Sequence, residues 1–421
     1  MNFIKKPVKG MNDFLPSEMR LREHIMSIIR ETYSSYGFLQ IETPAIEHIE
    51  NLTSKQGGDN EKLIFRILRR GDELKKAAEE EGELADSGLR YDLTVPLARY
   101  YANNSAKLPV PFKSLQMGSV WRADNPQKGR FRQFTQCDID ILGDETNLAE
   151  IELLSAASDV LTRIFSGTSV RNFTIHVNDR RILRAAALDA GFREEDISSV
   201  LISLDKFDKI GLDGIRSELY GLNYSEETVG RYLSSYGRTE NITCSQFCSS
   251  LSGQYLDSEV IRSTDEIINC ADRLTEDGTK IVFDPTLVRG MGYYTGTVFE
   301  ISIDKYSYSI AGGGRYDEMI GKFSGQDVCA SGVSLGFERI VTALQDETDE
   351  TSGVSSPNAA FLIDRNVSGE KKLEILAEAR MMRSEGVTVT VQPMRKNIKS
   401  QIEKLESEGF SEFHKIYSDQ L

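Results

Sequence analysis

Histidine and cysteine are scarce in this chain of 421 residues, which has four of the first and five of the second. The histidines, His24, His48, His176 and His414, lie far apart, and among the cysteines only Cys244 and Cys248 are close enough to share a helix face. No second pair completes a zinc set, so no metal site is expected. Sparse, scattered cysteines fit a reducing compartment and a fold without structural disulfides. No apolar run of about 18 residues is present, so no membrane-spanning helix is expected. The start carries Lys5, Lys6 and Lys9 with no apolar stretch behind them, so no signal peptide is expected either. Internal repeats and low-complexity tracts are missing. Basic charge is in deficit: 50 Lys and Arg face 65 Asp and Glu, a net charge of −15. That excludes a protein that grips nucleic acid by bulk charge, and leaves room for a local basic site on an acidic body.

What is present is a soluble globular composition, 39% hydrophobic and 27% charged, long enough for about two to four domains. After Pro16, Ser17 is a candidate cap, and Leu21, Ile25, Ile28, Ile29, Tyr33 and Tyr36 recur at helical spacing until Gly37. Residues 38–41 read as a strand. Residues 61–87, with six basic and eight acidic side chains, read as a helix-rich solvated face. A strand at 89–91 and a helix from 93 follow. Strands at 119–122 and 130–142 flank the turn formers of 123–129 and make a hairpin with a basic tip. Helical patterns such as 180–190 and 257–274 dominate 168–275, and strands resume at 280–283, 296–303, 308–311 and 332–335. A polar linker at 346–358 leads to alternating strands and helices, which imply a small parallel sheet.

Four segments carry candidate chemistry. Between Arg122 and Arg132 four basic residues face one acid. Arginine offers a planar fork for phosphate oxygens, and a solvated hairpin tip is the plain alternative. Leu287-Val-Arg-Gly-Met-Gly-Tyr-Tyr-Thr-Gly296 sets glycines around Arg289, Tyr293 and Tyr294, where a backbone can approach a ligand beside an amphipathic wall; a glycine-rich turn is the alternative. Ala311-Gly-Gly-Gly-Arg-Tyr-Asp317 looks superficially like a phosphate-cradling loop, but no Lys-Ser/Thr follows it, so it is no P-loop. No GxGxxG opens a helix, so a dinucleotide site of Rossmann type is unsupported. In Gly332-Val-Ser-Leu-Gly-Phe-Glu-Arg339 an arginine sits in the first turn of a helix, against the macrodipole, and an anionic partner would make sense of it.

Together these segments resemble class II aminoacyl-tRNA synthetases, and specifically the histidyl-tRNA synthetase family. Glu42-Thr-Pro44 is similar to the first class motif, the run from Trp121-Arg122 to Asp140 to the second, and Gly336-Phe-Glu-Arg339 to the third. The histidine-specific signatures are residues 287–296 and 311–317, with Arg90-Tyr-Asp-Leu-Thr-Val-Pro96 upstream. The resemblance covers most of residues 1–345.

It implies an α+β catalytic core, a mainly antiparallel sheet with flanking helices, in two parts (1–167 and 276–345). A mainly helical insertion (168–275), the linker and a short α/β anticodon-binding-like domain (359–421) complete the chain. The implied activity is ATP-dependent attachment of histidine to its tRNA through a histidyl-adenylate, in a cytoplasmic homodimer, with Mg2+ carried on the ATP phosphates. Arg122 and Arg339 would hold the α- and γ-phosphates, Phe134 would stack on adenine, and Asp124 and Arg130 would help bind ATP. Arg289 would stabilise charge as the histidine carboxylate attacks phosphorus. Asp92, Thr94 and Gln136 would take the ammonium group, and Asp140 and Tyr294 the imidazole nitrogens, with Tyr293 and Tyr316 as walls. Asn125, Gln127, Lys128 and Arg130 would meet the tRNA acceptor end.

The chain departs from the family pattern in places. Gly292 stands where Asp is common, Asp124 where Glu is frequent, and Asp140 and Asn125 match the eukaryote-like branch. The C-terminal domain reads as short, and 357–421 carries ten basic and ten acidic residues, so it shows no bulk attraction to RNA. The alternative from another class is a non-catalytic relative such as the regulatory subunit of ATP phosphoribosyltransferase, which lacks the anticodon domain. The full set of arginines argues against it.

Overall fold

The computed structural model describes residues 3–53, 62–126, 131–237, 241–275, 278–289, 292–306, 308–347 and 358–418. Of the expected features, Gln127, Lys128 and Arg130 at the hairpin tip, and most of the linker, lie outside the described residues. Contacts divide the chain into two compact units, Met1–Leu344 and Gln345–Leu421.

The first unit is built on an eight-stranded sheet. Its spatial order is Leu39–Gln40, Phe112–Trp121, Gln133–Leu142, Ala330–Leu335, Ser309–Arg315, Thr297–Ile303, Phe173–Asp179 and Thr279–Phe283. Only the outermost pair at each edge is parallel, and the interior is antiparallel. This is the α+β core expected, with the first hairpin strand starting earlier than read, at Phe112, and the second later, at Gln133. The segment 168–275 is mainly helical, but it also contributes Phe173–Asp179 to the sheet. Its helices share a core of their own, with Tyr232, Tyr236 and Phe247 fully buried.

One face of the sheet is covered by helices, among them Pro16–Ser35 and Leu148–Ile164. In Pro16–Ser35, Ile25, Ile29 and Tyr33 fall on one stripe and are fully buried. Leu148–Ile164 is buried on nearly every side, as Leu153, Leu154, Ala157, Val160 and Leu161 show. These side chains meet Leu115, Cys137, Ile139, Ile141, Val333 and Leu335 from the sheet in one hydrophobic cluster.

Several local expectations are corrected. Ser17 is no cap: the first helix opens at Pro16 behind Leu15, because proline fits the first helical position, where its missing N–H costs nothing. The stretch 61–87 is not a run of helix. Its described residues hold one α-helix, Gly71–Glu79, between the strands Arg66–Leu68 and Ala85–Leu89, which with Ile46–His48 form a three-stranded antiparallel sheet. That last strand also ends at Leu89, short of the 89–91 reading. The triple glycine is no loop but lies inside the strand Ser309–Arg315. The linker begins later and ends earlier than read, since 346–347 close the helix Phe337–Glu347 and Asn358 opens a strand.

In the second unit, Asn358–Ile363 lies between Thr388–Pro393 and Glu412–Ile416, all parallel, with the helices Gly369–Ser384 and Ile398–Ser407 between strands. Its central strand is apolar on both faces, which fits a strand covered on both sides. The five cysteines are all free, and Cys244 and Cys248 do share a face, with their sulfurs 3.9 Å apart. Among the described residues no helix is long and apolar enough to cross a membrane.

Candidate active site

A strand points alternate side chains to opposite faces, and Gln133–Leu142 uses this to serve two purposes. Cys137, Ile139 and Ile141 enter the core beneath the helices. Phe134, Gln136, Asp138 and Asp140 line a cleft of about 450 Å³ on the other side. Six residue steps along the strand lead from Phe134 to Asp140, a span of roughly 20 Å at about 3.3 Å per step.

The expected residues converge there. Asp92 and Thr94 enter from the start of the helix Thr94–Asn104, and Arg122 and Asp124 from the end of the hairpin's first strand. Arg289, Tyr293, Tyr294, Tyr316 and Arg339 complete the wall. Asn125 is exposed and is not part of the lining.

The cationic side chains are held at defined points. Arg122 donates Nε to the Tyr91 carbonyl at 2.9 Å, and its guanidinium lies 5.1 Å from the centre of the Phe134 ring. Arg339 donates to the Ser309 carbonyl at 2.6 Å and to its hydroxyl at 3.2 Å. Arg289 pairs with Glu300 at 2.6 Å and lies flat over Gly312. A Cβ on Gly312 would fall 2.4 Å from the Arg289 Nη1, and one on Gly332 would fall 2.0 Å from the Asp140 Oδ1. The glycines therefore form a floor that lets charged side chains approach the sheet.

The other end is acidic and aromatic. Asp92, Asp138 and Asp140 are only 2%, 4% and 4% exposed. Burial pushes the Asp92 carboxyl up to about 6, against the pull of the Val95 N–H and Arg122. Burial likewise lifts Asp140 to about 7; the Tyr316 hydroxyl opposes the rise and Asp92 adds to it. Asp138 is raised well above the ordinary carboxylate range by burial and by Asp140. Tyr316 donates its hydroxyl to the Asp140 Oδ1 at 2.5 Å, so Asp140 is already engaged by a residue expected only as a wall. Tyr293 packs against Tyr294 with ring centres 4.6 Å apart and planes tilted by 49°, and meets Tyr316 edge-on at 6.0 Å. Such a pocket suits a cationic ligand with ring N–H donors.

The deciding comparison is with families of known sequence. A model of the family described as histidyl-tRNA synthetase matches residues 10–340. The chain belongs to the histidyl-tRNA synthetase family. A relative from Leifsonia xyli subsp. xyli named histidine–tRNA ligase is 41% identical over 427 aligned residues, covering 98% of this chain and 95% of that one. A crystal structure of histidyl-tRNA synthetase from Nostoc sp. PCC 7120 superposes with a TM-score of 0.77 at 25% identity, over 97% of this chain and 90% of that one. An ATP phosphoribosyltransferase regulatory subunit/histidyl-tRNA synthetase from Bacillus halodurans superposes with a TM-score of 0.78 over the full length of both chains, at 21% identity, a likeness of fold alone. Membership of the synthetase family implies the use of ATP.

Three residues were missed from sequence. Asp138 was visible as the gap in the alternation 134, 136, 140. Glu300 lies in the strand Thr297–Ile303, just beyond the 287–296 signature and not part of it. Glu338, next to Arg339, takes a bidentate pair from the buried Arg22 at 2.7 and 2.9 Å and accepts from the Thr135 N–H at 3.1 Å, so it braces the third class motif against the second. Nothing in the sequence joins Arg22 to Glu338 across that distance.

Proposed function

We propose that this protein is a histidine–tRNA ligase. The observation that carries the reading is the joining, in one cleft of a synthetase-family chain, of buried acids suited to a cationic amino acid with Arg122, Arg289 and Arg339, suited to a nucleotide's phosphates. In the first step the histidine carboxylate attacks the α-phosphorus of ATP, and the bond to the β-phosphate breaks. Pyrophosphate leaves and histidyl-adenylate forms. The nucleophile is already ionised, so no general base is required, and catalysis rests on position and fixed positive charge.

In this reading Arg289 spans the carboxylate and the α-phosphate, with Glu300 setting its plane. Arg122 takes the α-phosphate, Arg339 the γ-phosphate, Phe134 the adenine ring, and Asp124 and Arg130 assist. Magnesium bound on the β- and γ-phosphates would neutralise charge on the leaving pyrophosphate. Glu338 is paired with Arg22 and is not free to hold the ion. Asp92, Thr94 and Gln136 receive the ammonium group. Asp140, oriented by Tyr316, and Tyr294 read the imidazole, with Tyr293 beside them. In the second step a hydroxyl of the terminal ribose attacks the carbonyl and AMP leaves, with Asn125, Gln127, Lys128 and Arg130 near the acceptor end.

We further assign residues 1–167 and 276–345 to the catalytic domain, 168–275 to the insertion and 359–421 to anticodon binding, in a cytoplasmic two-fold homodimer. The regulatory reading has a fold-level neighbour, but a regulator has no need of three arginines converging on one cleft. The test is histidine-dependent exchange of labelled pyrophosphate into ATP, followed by charging of histidine tRNA. Folded protein that gives neither contradicts the proposal.

A further inference from the structure

Asp138 has no part in the roles just assigned, yet it stands between Gln136 and Asp140 on the cleft face of its strand. Three buried oxygens that line the cleft have no hydrogen-bond partner among the described residues: Asp92 Oδ2, Gln136 Oε1 and Asp138 Oδ1. The three side chains are otherwise fixed. Asp92 Oδ1 accepts from the Val95 N–H at 3.1 Å. Gln136 donates Nε2 to the Ser334 hydroxyl at 2.9 Å, and the same nitrogen lies 3.5 Å from Asp138 Oδ2. Each side chain thus commits one polar atom to the protein and leaves one acceptor over.

A buried acceptor without a donor is destabilising, and three in one cleft point to a ligand rich in donors. A primary ammonium has three N–H donors, no acceptor and one positive charge. It matches the site in number, in polarity and in sign. A hydroxyl brings one donor and no charge, and an imidazolium brings two donors in a plane. The carboxyl of Asp138 is raised by burial and by Asp140, and the Ser334 hydroxyl and, more weakly, Arg122 pull it back. A bound ammonium would relieve the same cost more directly.

We infer that Asp138 is the third acceptor for the α-ammonium group of the amino-acid substrate, beside Asp92 and Gln136, and so a determinant of specificity for that group. The inference rests on the histidine-ligase reading.

Two probes separate the ammonium from the rest of the substrate. Histidinol keeps the ammonium and imidazole and lacks the carboxylate, whereas 3-(imidazol-4-yl)propionate keeps the imidazole and carboxylate and lacks the ammonium. Binding of each to the full chain is measured by calorimetry for the parent and for Asp138→Asn. Histidinol is expected to weaken by about 10- to 100-fold, the range for a lost hydrogen bond to a charged group. The propionate is expected to stay within about twofold. Unchanged histidinol affinity, or equal loss for both probes, overturns the role of Asp138. Should Asp138→Asn fail to fold, Asp138→Ser, which is smaller, carries the same readout. A parent protein that binds neither probe and shows no histidine-dependent exchange overturns the ligase reading along with it, whereas an active parent with an unaffected variant overturns only Asp138.

Discussion

The two faces of the strand Gln133–Leu142 are buried to a similar depth and composed in opposite ways. On one face Cys137, Ile139 and Ile141 lie against Ile25, Ile29 and the helix Leu148–Ile164. On the other, Gln136, Asp138 and Asp140 face a cleft with carboxyls lifted out of their usual range and acceptors left over. Burial of the first face removes apolar surface from water and stabilises the fold. Burial of the second costs stability, and that cost makes chemical sense only if a cation is to be bound. One strand thus separates what holds the molecule together from what it recognises.

Substitutions on the two faces should fail in different ways. The largest effect is expected at the cleft's cation: Arg289→Ala should lower histidine-dependent pyrophosphate exchange by about 10²- to 10³-fold, with a melting temperature near the parent's. Near-normal exchange would remove Arg289 from the chemistry. On the core face, Ile139→Ala should cost about 2–4 kcal/mol of stability by opening a cavity. Denaturant unfolding measures this, and the KM for histidine of the folded fraction should not change. A raised KM with full stability would reverse the assignment of faces.

A smaller effect is expected at the glycine floor. Gly332→Ala would place a Cβ 2.0 Å from the Asp140 carboxylate and force that side chain to move. The KM for histidine should rise about tenfold, the equivalent of about 1.4 kcal/mol, and the KM for ATP should hold. A matching rise in both would mean that the sheet itself had shifted.

Much of this was legible in the sequence where local pattern and tertiary role agree. The hairpin and the parallel C-terminal unit followed from period and turn residues, and the convergence of Asp92, Arg122, Arg289 and Arg339 was what the family resemblance implied. The failures have physical reasons. Gly312, Gly313 and Gly314 look like a turn because glycine is a poor strand former. They are strand, and Arg289 lies over Gly312 while Asp140 lies over Gly332 in the paired strand, contacts that no local window contains. Residues 61–87 read as helix because charge dominates the composition and hides two short strands. Asp138 shows in the sequence only through the alternation 134, 136, 138 and 140, which places it on the face of Gln136 and Asp140.

The two faces differ most plainly in what protonation does to them. The Asp140 carboxyl is raised to about 7 from an ordinary value of 3.8. Its contribution to stability is therefore fully present below the ordinary value and lost as pH rises through about 7. At pH 8 the empty cleft holds an ionised, desolvated carboxylate, which Asp140→Asn would remove while keeping an acceptor for Tyr316. The decisive measurement is thermal unfolding of the parent and Asp140→Asn at pH 8, with and without histidine. Without histidine the variant should melt at or above the parent, and saturating histidine should raise the melting temperature of the parent alone. A variant that melts well below the parent, or that histidine stabilises equally, would contradict the claim that this face holds its acids for a cationic substrate.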